Sequence, residues 1–318
     1  MALYLITGGA GFIGSHLAEE LLRRGERVRV LDNFSTGKRE NLDPLRHRLE
    51  LIEGDIRSYH TVRQAVQGVD YVLHQGALPS VPRSINDPIT TNEVNVGGTL
   101  NLLDAARDAG VRRVVYASSS SVYGANTQVP KREDMTPQPI SPYAVSKLTG
   151  EHYCQVFSHT YGLETVCLRY FNVFGPRQDP QSAYSAFIPR FAVGILRHQE
   201  LTIDGDGTQS RDFTYVRNVV EGNLLAATAP QVGGEVFNIA CGASLSVNEV
   251  AAHLAQLCGA AGRLVYGPSR TGDVPHSLAD ISRARARLGY EPRVDARQGL
   301  AQVVTWFQDQ LAVEGQPS

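Results

Sequence analysis

Lysine is almost missing from this chain. Its 318 residues include only Lys38, Lys131 and Lys147, so 27 of the 30 basic residues are arginine. Cysteine is also sparse, and Cys154, Cys167, Cys241 and Cys258 lie far apart without a CxxC pair. That spacing argues against a disulfide framework or a zinc site and predicts reduced, mostly buried thiols. No apolar run reaches the roughly 18 residues of a membrane helix. Residues 1–7 show neither a basic leader nor a small-residue cleavage site, so no signal peptide and a cytoplasmic location are expected. A formal net charge of −2 excludes gripping nucleic acid by bulk charge. The 42% hydrophobic share excludes a disordered chain.

What the chain does have is alternation. Short apolar runs at 3–7, 28–32, 49–53, 71–74, 114–118 and 165–170 are separated by helical patterns. The clearest helices are expected at 12–24, 92–109 and 143–161. In the first of these, Ile13, Leu17, Leu21 and Leu22 share a face, and Gly25 ends it. Continuous apolar strands between helices predict a parallel sheet covered on both faces. After Tyr170 the rhythm changes. Residues 172–186 are rich in Pro, Gly, Gln and Ser and read as an ordered insertion or a binding loop. A helix near 186–198, strands at 201–203 and 212–216, and a closing helix at 296–311 follow.

Residues 7–14, TGGAGFIG, join the first strand to the first helix. Gly8, Gly11 and Gly14 would let the backbone turn tightly and approach a pyrophosphate at the helix N-terminus. Glycine turns of this kind are common, so the flanking strand and helix are what give the motif weight. Asp32 ends the second strand, where a carboxylate binds an adenosine ribose 2′-hydroxyl and repels a 2′-phosphate, which favours NAD. Asp55 and Ile56, after the third strand, fit an adenine contact or an ordinary strand end.

Ser141-Pro142-Tyr143 opens a helix with a good N-cap and a proline at its first position. Tyr143 and Lys147 are four apart and share a face. A nearby ammonium favours a phenolate, which makes Tyr143 a candidate base, and the lysine can also hold a ribose diol. Alone, the pair could equally be surface decoration. Ser118, Ser119, Ser120 and Ser121 stand at the C-terminal end of another strand, where ligands bind in open parallel sheets.

TGGAGFIG, the serine-rich strand end before Val122-Tyr123-Gly124, Tyr143-xxx-Lys147 and Arg169-Tyr170-Phe171-Asn172 together resemble the extended short-chain dehydrogenase/reductases. Within that superfamily the chain is similar to the UDP-glucose/UDP-N-acetylglucosamine 4-epimerases. The resemblance implies an α/β fold, a Rossmann-type doubly wound parallel sheet with a smaller α/β C-terminal substrate lobe. It implies a cofactor domain over 1–170 with 212–239 returning to it, and a UDP-sugar lobe from 171–211 and 240–318.

By the same resemblance, NAD would be held by Gly8, Gly11, Phe12, Ile13, Gly14, Asp32, Asn33, Phe34, Ser35, Thr36, Gly37, Asp55 and Ile56. Gln75, Gly76, Ala77, Asn95, Ser118, Tyr143, Lys147, Tyr170 and Phe171 would complete that site. Catalysis would fall to Ser119, Tyr143 and Lys147, with Ser120 and Ser121 as possible helpers. The UDP-sugar would meet Ser80, Ser119, Ser120, Ser121, Tyr143, Asn172, Ala186, Phe187, Thr202, Ile203, Arg211, Arg270, Asp273 and Ser277. Arg211 and Arg270 resemble a pair that grips the diphosphate, and guanidinium groups suit phosphate oxygens. No metal is implied.

Dehydratases and decarboxylases of this superfamily carry acids where Ser120 and Ser121 stand, which weakens that reading. Ser277 occupies the position bordering the sugar C2 substituent. A small residue there goes with N-acetylated sugars, although a plain loop serine would look the same. The stretches 80–85 and 175–180 also look like the N-acetylhexosamine branch. The resemblance implies a homodimer built on the helices at 92–109 and 143–161, whose apolar stripes could equally cover the sheet. A UDP-glucuronate 4-epimerase or decarboxylase, or a non-catalytic NAD sensor, remain the alternatives.

Overall fold

The computed structural model describes residues 1–180, 187–260, 262–268 and 275–314. The first half runs β1 (Leu3–Thr7), α1 (Phe12–Arg23), β2 (Arg27–Asp32), β3 (Glu50–Glu53), α2 (Tyr59–Ala65), β4 (Tyr71–His74), α3 (Val81–Asn86) and α4 (Pro88–Asn92). It continues through α5 (Gly98–Asp108), β5 (Arg113–Ser119), α6 (Pro142–Tyr161) and β6 (Glu164–Tyr170). The second half holds β7 (Val173–Phe174), α7 (Phe187–Leu196), β8 (Glu200–Asp204), β9 (Ser210–Arg211), β10 (Thr214–Tyr215), α8 (Val216–Thr228) and β11 (Glu235–Ile239). It closes with β12 (Leu245–Ser246), α9 (Val247–Cys258), β13 (Arg263–Gly267), β14 (His276–Ser277), α10 (Ser282–Leu288) and α11 (Ala296–Glu314).

Seven strands form one sheet in the order β11-β6-β5-β4-β1-β2-β3. Every pairing in it is parallel. The order reverses between β1 and β4, and ligands of open α/β sheets bind at such a crevice. Side chains alternate along each strand. Tyr4 and Ile6 pack with Leu17 and Leu21 of α1 and Val219 of α8. Leu3 and Leu5 pack on the other face with Val62, Leu102, Leu103 and Phe157. Burial on both faces explains why these strands read as unbroken apolar runs.

A third core lies outside the sheet. Phe191 of α7, Leu254 of α9, and Val303 and Phe307 of α11 close around Leu201 and Ile203 of β8. Beside it, β9 lies between β12 and β14 in a three-stranded sheet.

Two local expectations need correction. The helix expected at 92–109 starts earlier, at Pro88, and carries a π turn at Glu93–Gly97 between α4 and α5 without leaving helical backbone. The cause is Asn95, whose amide accepts from the Leu78 N–H at 2.7 Å and donates to the Leu78 carbonyl at 3.1 Å. π turns of this sort cluster at functional sites. The strand expected at 212–216 is split into β9 and β10, and Val216 already opens α8. Between them Asp212 is fully buried and accepts the N–H groups of Cys241 and Gly242, each at 2.9 Å. A carboxylate caught there turns the chain rather than extending it.

Candidate active site

The glycine loop ends β1 and feeds α1 directly. Gly8 has φ +67°, and a Cβ there would lie 2.8 Å from the Gly76 nitrogen. A Cβ on Gly14 would lie 2.2 Å from the Gly8 carbonyl oxygen. Both positions therefore need glycine, one for its backbone conformation and both for space. Gly11 stands at the N-cap of α1 without a side-chain cap from the described residues. The first N–H groups of the helix, at Phe12 and Ile13, are thus presented to an anion.

Asp32 is buried at the end of β2 and accepts the Ala10 N–H and the Phe34 N–H, both at 2.8 Å. Burial raises its pKa, and those N–H groups act against the rise. The loop after it folds over the glycine turn, with Lys38 N–H on the Ala10 carbonyl at 3.0 Å. Asn33 and Phe34 lie on this loop, with Ser35, Thr36 and Gly37. Phe34 takes φ +57° under the Arg39 guanidinium, 3.9 Å from its ring centroid. Asn33 donates to Asp55 at 2.8 Å, and Asp55 is held at about 2, chiefly by its Arg57 hydrogen bonds. Ile56 packs against Gly98. A cradle that a single Cβ would fill, a free helix N-terminus and a buried ribose-type carboxylate together fit NAD.

Behind the loop a polar chain runs through the sheet. The Gly76 N–H donates to Thr7 Oγ1 at 3.1 Å, and Thr7 meets His74 Nδ1 at 2.6 Å. His74 Nε2 meets Thr99 Oγ1 at 2.9 Å, and Thr99 donates to the Asn95 carbonyl at 2.6 Å. Asn95 also donates to Ser146 at 3.0 Å, which links Leu78 to α6 one residue before Lys147. Gln75 belongs to a second network, donating to Asn223 at 3.0 Å and to the Tyr170 hydroxyl at 3.1 Å. Phe171 is wholly buried beside it. Ala77 lies between Gly76 and the Asn95-bound Leu78.

α6 begins as its sequence predicts. Ser141 caps it by accepting the Ala144 N–H at 3.2 Å, and Pro142 follows. Tyr143 and Lys147 project from one face toward the end of β5. Lys147 is buried and donates to the Ala117 carbonyl at 2.8 Å, with its ammonium 5.9 Å from the Tyr143 ring centroid. Burial brings Lys147 down to about 8, against the pull of Cys154 and Glu151. Burial raises the Tyr143 phenol, and a hydrogen bond with Ser119 works the other way. Ser119 also accepts the Ser121 N–H at 3.1 Å. Ser119 is therefore the serine bonded to the tyrosine, while Ser120 and Ser121 begin the following 3-10 turn. The Ser118 hydroxyl donates to Glu151 instead, which leaves its oxygen only as an acceptor.

On the substrate side, Asn172 takes φ +33° after β6 and donates to the Asp212 carbonyl at 3.1 Å. Arg211 on β9 lies in register with Ser277 on β14. Ser80 takes φ +97° and caps α3 through the Arg83 N–H. Phe187 stacks on Phe191 with ring centroids 4.0 Å apart. Ile203 is 1% exposed and belongs to the third core, so only its backbone could meet a base, whereas Thr202 is exposed. Ala186, Arg270 and Asp273 lie outside the described residues.

Sequence reading missed His74, Thr99, Glu151 and Asn223. Glu151 had a usable signal, because it continues the Tyr143–Lys147 face by one more turn. The others sit in apolar segments where a polar residue gives no hint of its partner.

The fold and this constellation define an NAD-dependent enzyme of the extended short-chain dehydrogenase/reductase class. The family model described as the NAD dependent epimerase/dehydratase family matches residues 4–240, and the chain belongs to that family. A Thermotoga maritima UDP-glucose 4-epimerase solved with UDP-glucose is 38% identical, with TM-score 0.93 over 97% of this chain and 99% of that one. A Methanobrevibacter ruminantium UDP-N-acetylglucosamine 4-epimerase in complex with UDP-N-acetylmuramic acid is 38% identical, with TM-score 0.92 over 97% and 99%. A Bacillus cereus UDP-glucuronic acid 4-epimerase, with UDP-glucuronic acid and NAD, is 34% identical, with TM-score 0.90 over 97% and 99%. The chain thus sits among the NAD-dependent UDP-sugar 4-epimerases, which are isomerases.

Proposed function

We propose that the protein inverts C4 of UDP-hexoses, taking UDP-GlcNAc/UDP-GalNAc as well as UDP-Glc/UDP-Gal, through a transient 4-keto sugar. The observation that carries the reaction is the meeting of Tyr143, Ser119 and Lys147 at the C-terminal end of β5. Tyr143 removes the 4-hydroxyl proton and returns one after inversion. Ser119 shares that proton through its hydrogen bond to the phenol. Lys147 keeps two N–H donors beyond the one on Ala117, enough for a ribose diol. The glycine loop, Asp32, Gln75 and Asn95 hold the dinucleotide. When bound, NAD supplies a two-electron acceptor for C4 and a cationic ring that favours the phenolate. Arg211 holds the diphosphate while the 4-keto sugar turns about it, which requires few contacts to the sugar itself.

Acceptance of N-acetylated sugars is supported by Ser277, a small side chain in register with Arg211. Serines at 120 and 121 leave no carboxylate there for dehydration chemistry. Likeness to the Bacillus cereus enzyme favours UDP-glucuronate as the second reading. The lobes would divide as 1–170 with 212–239, against 171–211 with 240–318. Exposed Val145, Val156 and Tyr161 on α6 suit a second copy of the chain. Four free thiols suit the cytoplasm.

The test is Tyr143→Phe, assayed with UDP-Glc, UDP-GlcNAc and UDP-glucuronate by chromatography and mass spectrometry. We expect wild-type turnover of the first two at unchanged mass and a kcat loss of about 10²-fold or more in the variant. Near-normal epimerisation by the variant overturns the acid–base assignment, and exclusive use of the uronate overturns the substrate assignment.

A further inference from the structure

Three consecutive residues at the end of β5 are each bonded to α6. The Ser119 hydroxyl bonds Tyr143, the Ala117 carbonyl accepts from Lys147, and the Ser118 hydroxyl donates to Glu151. On the helix those partners are spaced by four residues, so they stand one above another. Two of the three contacts belong to the proposed chemistry. The third does not. Glu151 is 2% exposed and gripped by a bidentate fork from Arg169, Nε to Oε1 at 2.9 Å and Nη2 to Oε2 at 2.7 Å. Arg169 lies on β6 in register with Ser118, and its guanidinium rests 4.7 Å from the Tyr123 ring centroid.

A buried ion pair is a poor device for stability, because an apolar pair of similar volume often does as well. What a forked, fully enclosed pair does supply is geometry. We propose that Ser118, Glu151 and Arg169 form a positioning unit that sets the register of α6 against β5 and the field at Lys147, an inference that rests on the catalytic reading of Tyr143, Ser119 and Lys147. None of the three is placed to touch the reacting atoms.

The field has a definite sign. Lys147 is faced by Tyr143, Glu151 and Cys154 from α6, by His74 from β4 and by Tyr116 from β5, while Arg169 of β6 stands on the Glu151 carboxylate. Glu151 carries the full charge that acts on Lys147, and Arg169 is the guanidinium paired with it. The Glu151 carboxylate helps Lys147 keep its proton against burial. Removing only the acid exposes Lys147 to an uncompensated guanidinium, and removing only the arginine leaves a bare carboxylate beside it.

The experiment compares Ser118→Ala, Ser118→Thr, Glu151→Gln, Arg169→Met and the double variant Glu151→Gln/Arg169→Met. Each is purified with its NAD and measured for cofactor content, thermal midpoint, and kcat and KM on UDP-Glc and UDP-GlcNAc from neutral to alkaline pH. Ser118→Ala should lose about tenfold or more in kcat. Its KM should stay within about twofold and its NAD content should hold. Ser118→Thr, which keeps the hydroxyl, should recover most of that loss. Glu151→Gln should move the alkaline limb of kcat down by about one pH unit, and Arg169→Met should move it up. The double variant should bring the limb back while kcat stays low, since the charge balance is restored and the fork is not. Lower thermal midpoints with wild-type kcat and an unmoved alkaline limb overturn the positioning role. If the single charge variants do not fold, the Ser118 pair and the double variant decide by the same criteria. Tyr143→Phe is run alongside. An active Tyr143→Phe overturns the catalytic reading itself. An inactive one beside triad variants of wild-type kcat and pH profile overturns only the positioning unit.

Discussion

Ser277 and Arg211 lie side by side in register on parallel strands β14 and β9, although 66 residues of chain separate them. The residue proposed to border the sugar is therefore fixed to the strand that carries the arginine proposed to hold the diphosphate. On that proposal, a change of size at 277 would be felt next to the nucleotide and could not relax independently of β9.

Ser277→Tyr should accordingly discriminate between substrates. Overfilling a packed site costs about 1–3 kcal/mol, which is roughly tenfold or more in rate. We expect UDP-GlcNAc turnover to fall by that factor and UDP-Glc turnover to stay within about twofold. Parallel assays of kcat/KM on both sugars check it, and equal losses would show that 277 does not face the C2 substituent.

Gly14→Ala tests the pyrophosphate cradle without touching a charged group. Its Cβ would sit 2.2 Å from the Gly8 carbonyl oxygen, so α1 and the loop must separate. Both stability and cofactor retention should suffer, with NAD affinity weakened by about tenfold or more. Equilibrium dialysis with NAD measures this. A variant that binds NAD like the wild type would remove the loop from the cofactor site.

Acid stability should carry a signature of His74. Burial, and then the charge of Lys147, push this ring down from 6.5 to about 3. The unfolded ring takes a proton as pH falls below 6.5, whereas the folded one stays neutral until about 3. Stability that is complete above the upper value is thus lost as pH falls through the window, at about 1.4 kcal/mol per unit for one proton. Urea unfolding of wild type and His74→Asn at a series of pH values should show a slope shallower by about one proton in the variant. Identical slopes would mean that His74 is already charged in the native protein.

Much of this molecule is legible in one dimension. The alternation of apolar runs and helical patterns sets a parallel sheet because strands buried on both faces must be continuously apolar. Gly8 and Gly14 announce a close backbone approach, and Ser141-Pro142 announces the start of α6. Tyr143 and Lys147 fall on one face by helical period alone. These are local rules, and spacing along the chain suffices for them.

The rest depends on which segments meet. The π turn at Glu93–Gly97 exists because Asn95 finds the Leu78 backbone, a partner 17 residues away. The split between β9 and β10 follows from N–H groups supplied by 241 and 242. Among four adjacent serines, only the twist of β5 against α6 decides that Ser119 meets the phenol and Ser118 meets Glu151. The scarce lysines end the same way. Composition shows that arginine serves almost everywhere, but only the packed fold shows that Lys131 and Lys147 are both enclosed. For Lys147 the physical reason lies in the site: a compact ammonium fits between the Ala117 carbonyl and the Tyr143 ring, where a broad guanidinium would displace the helix.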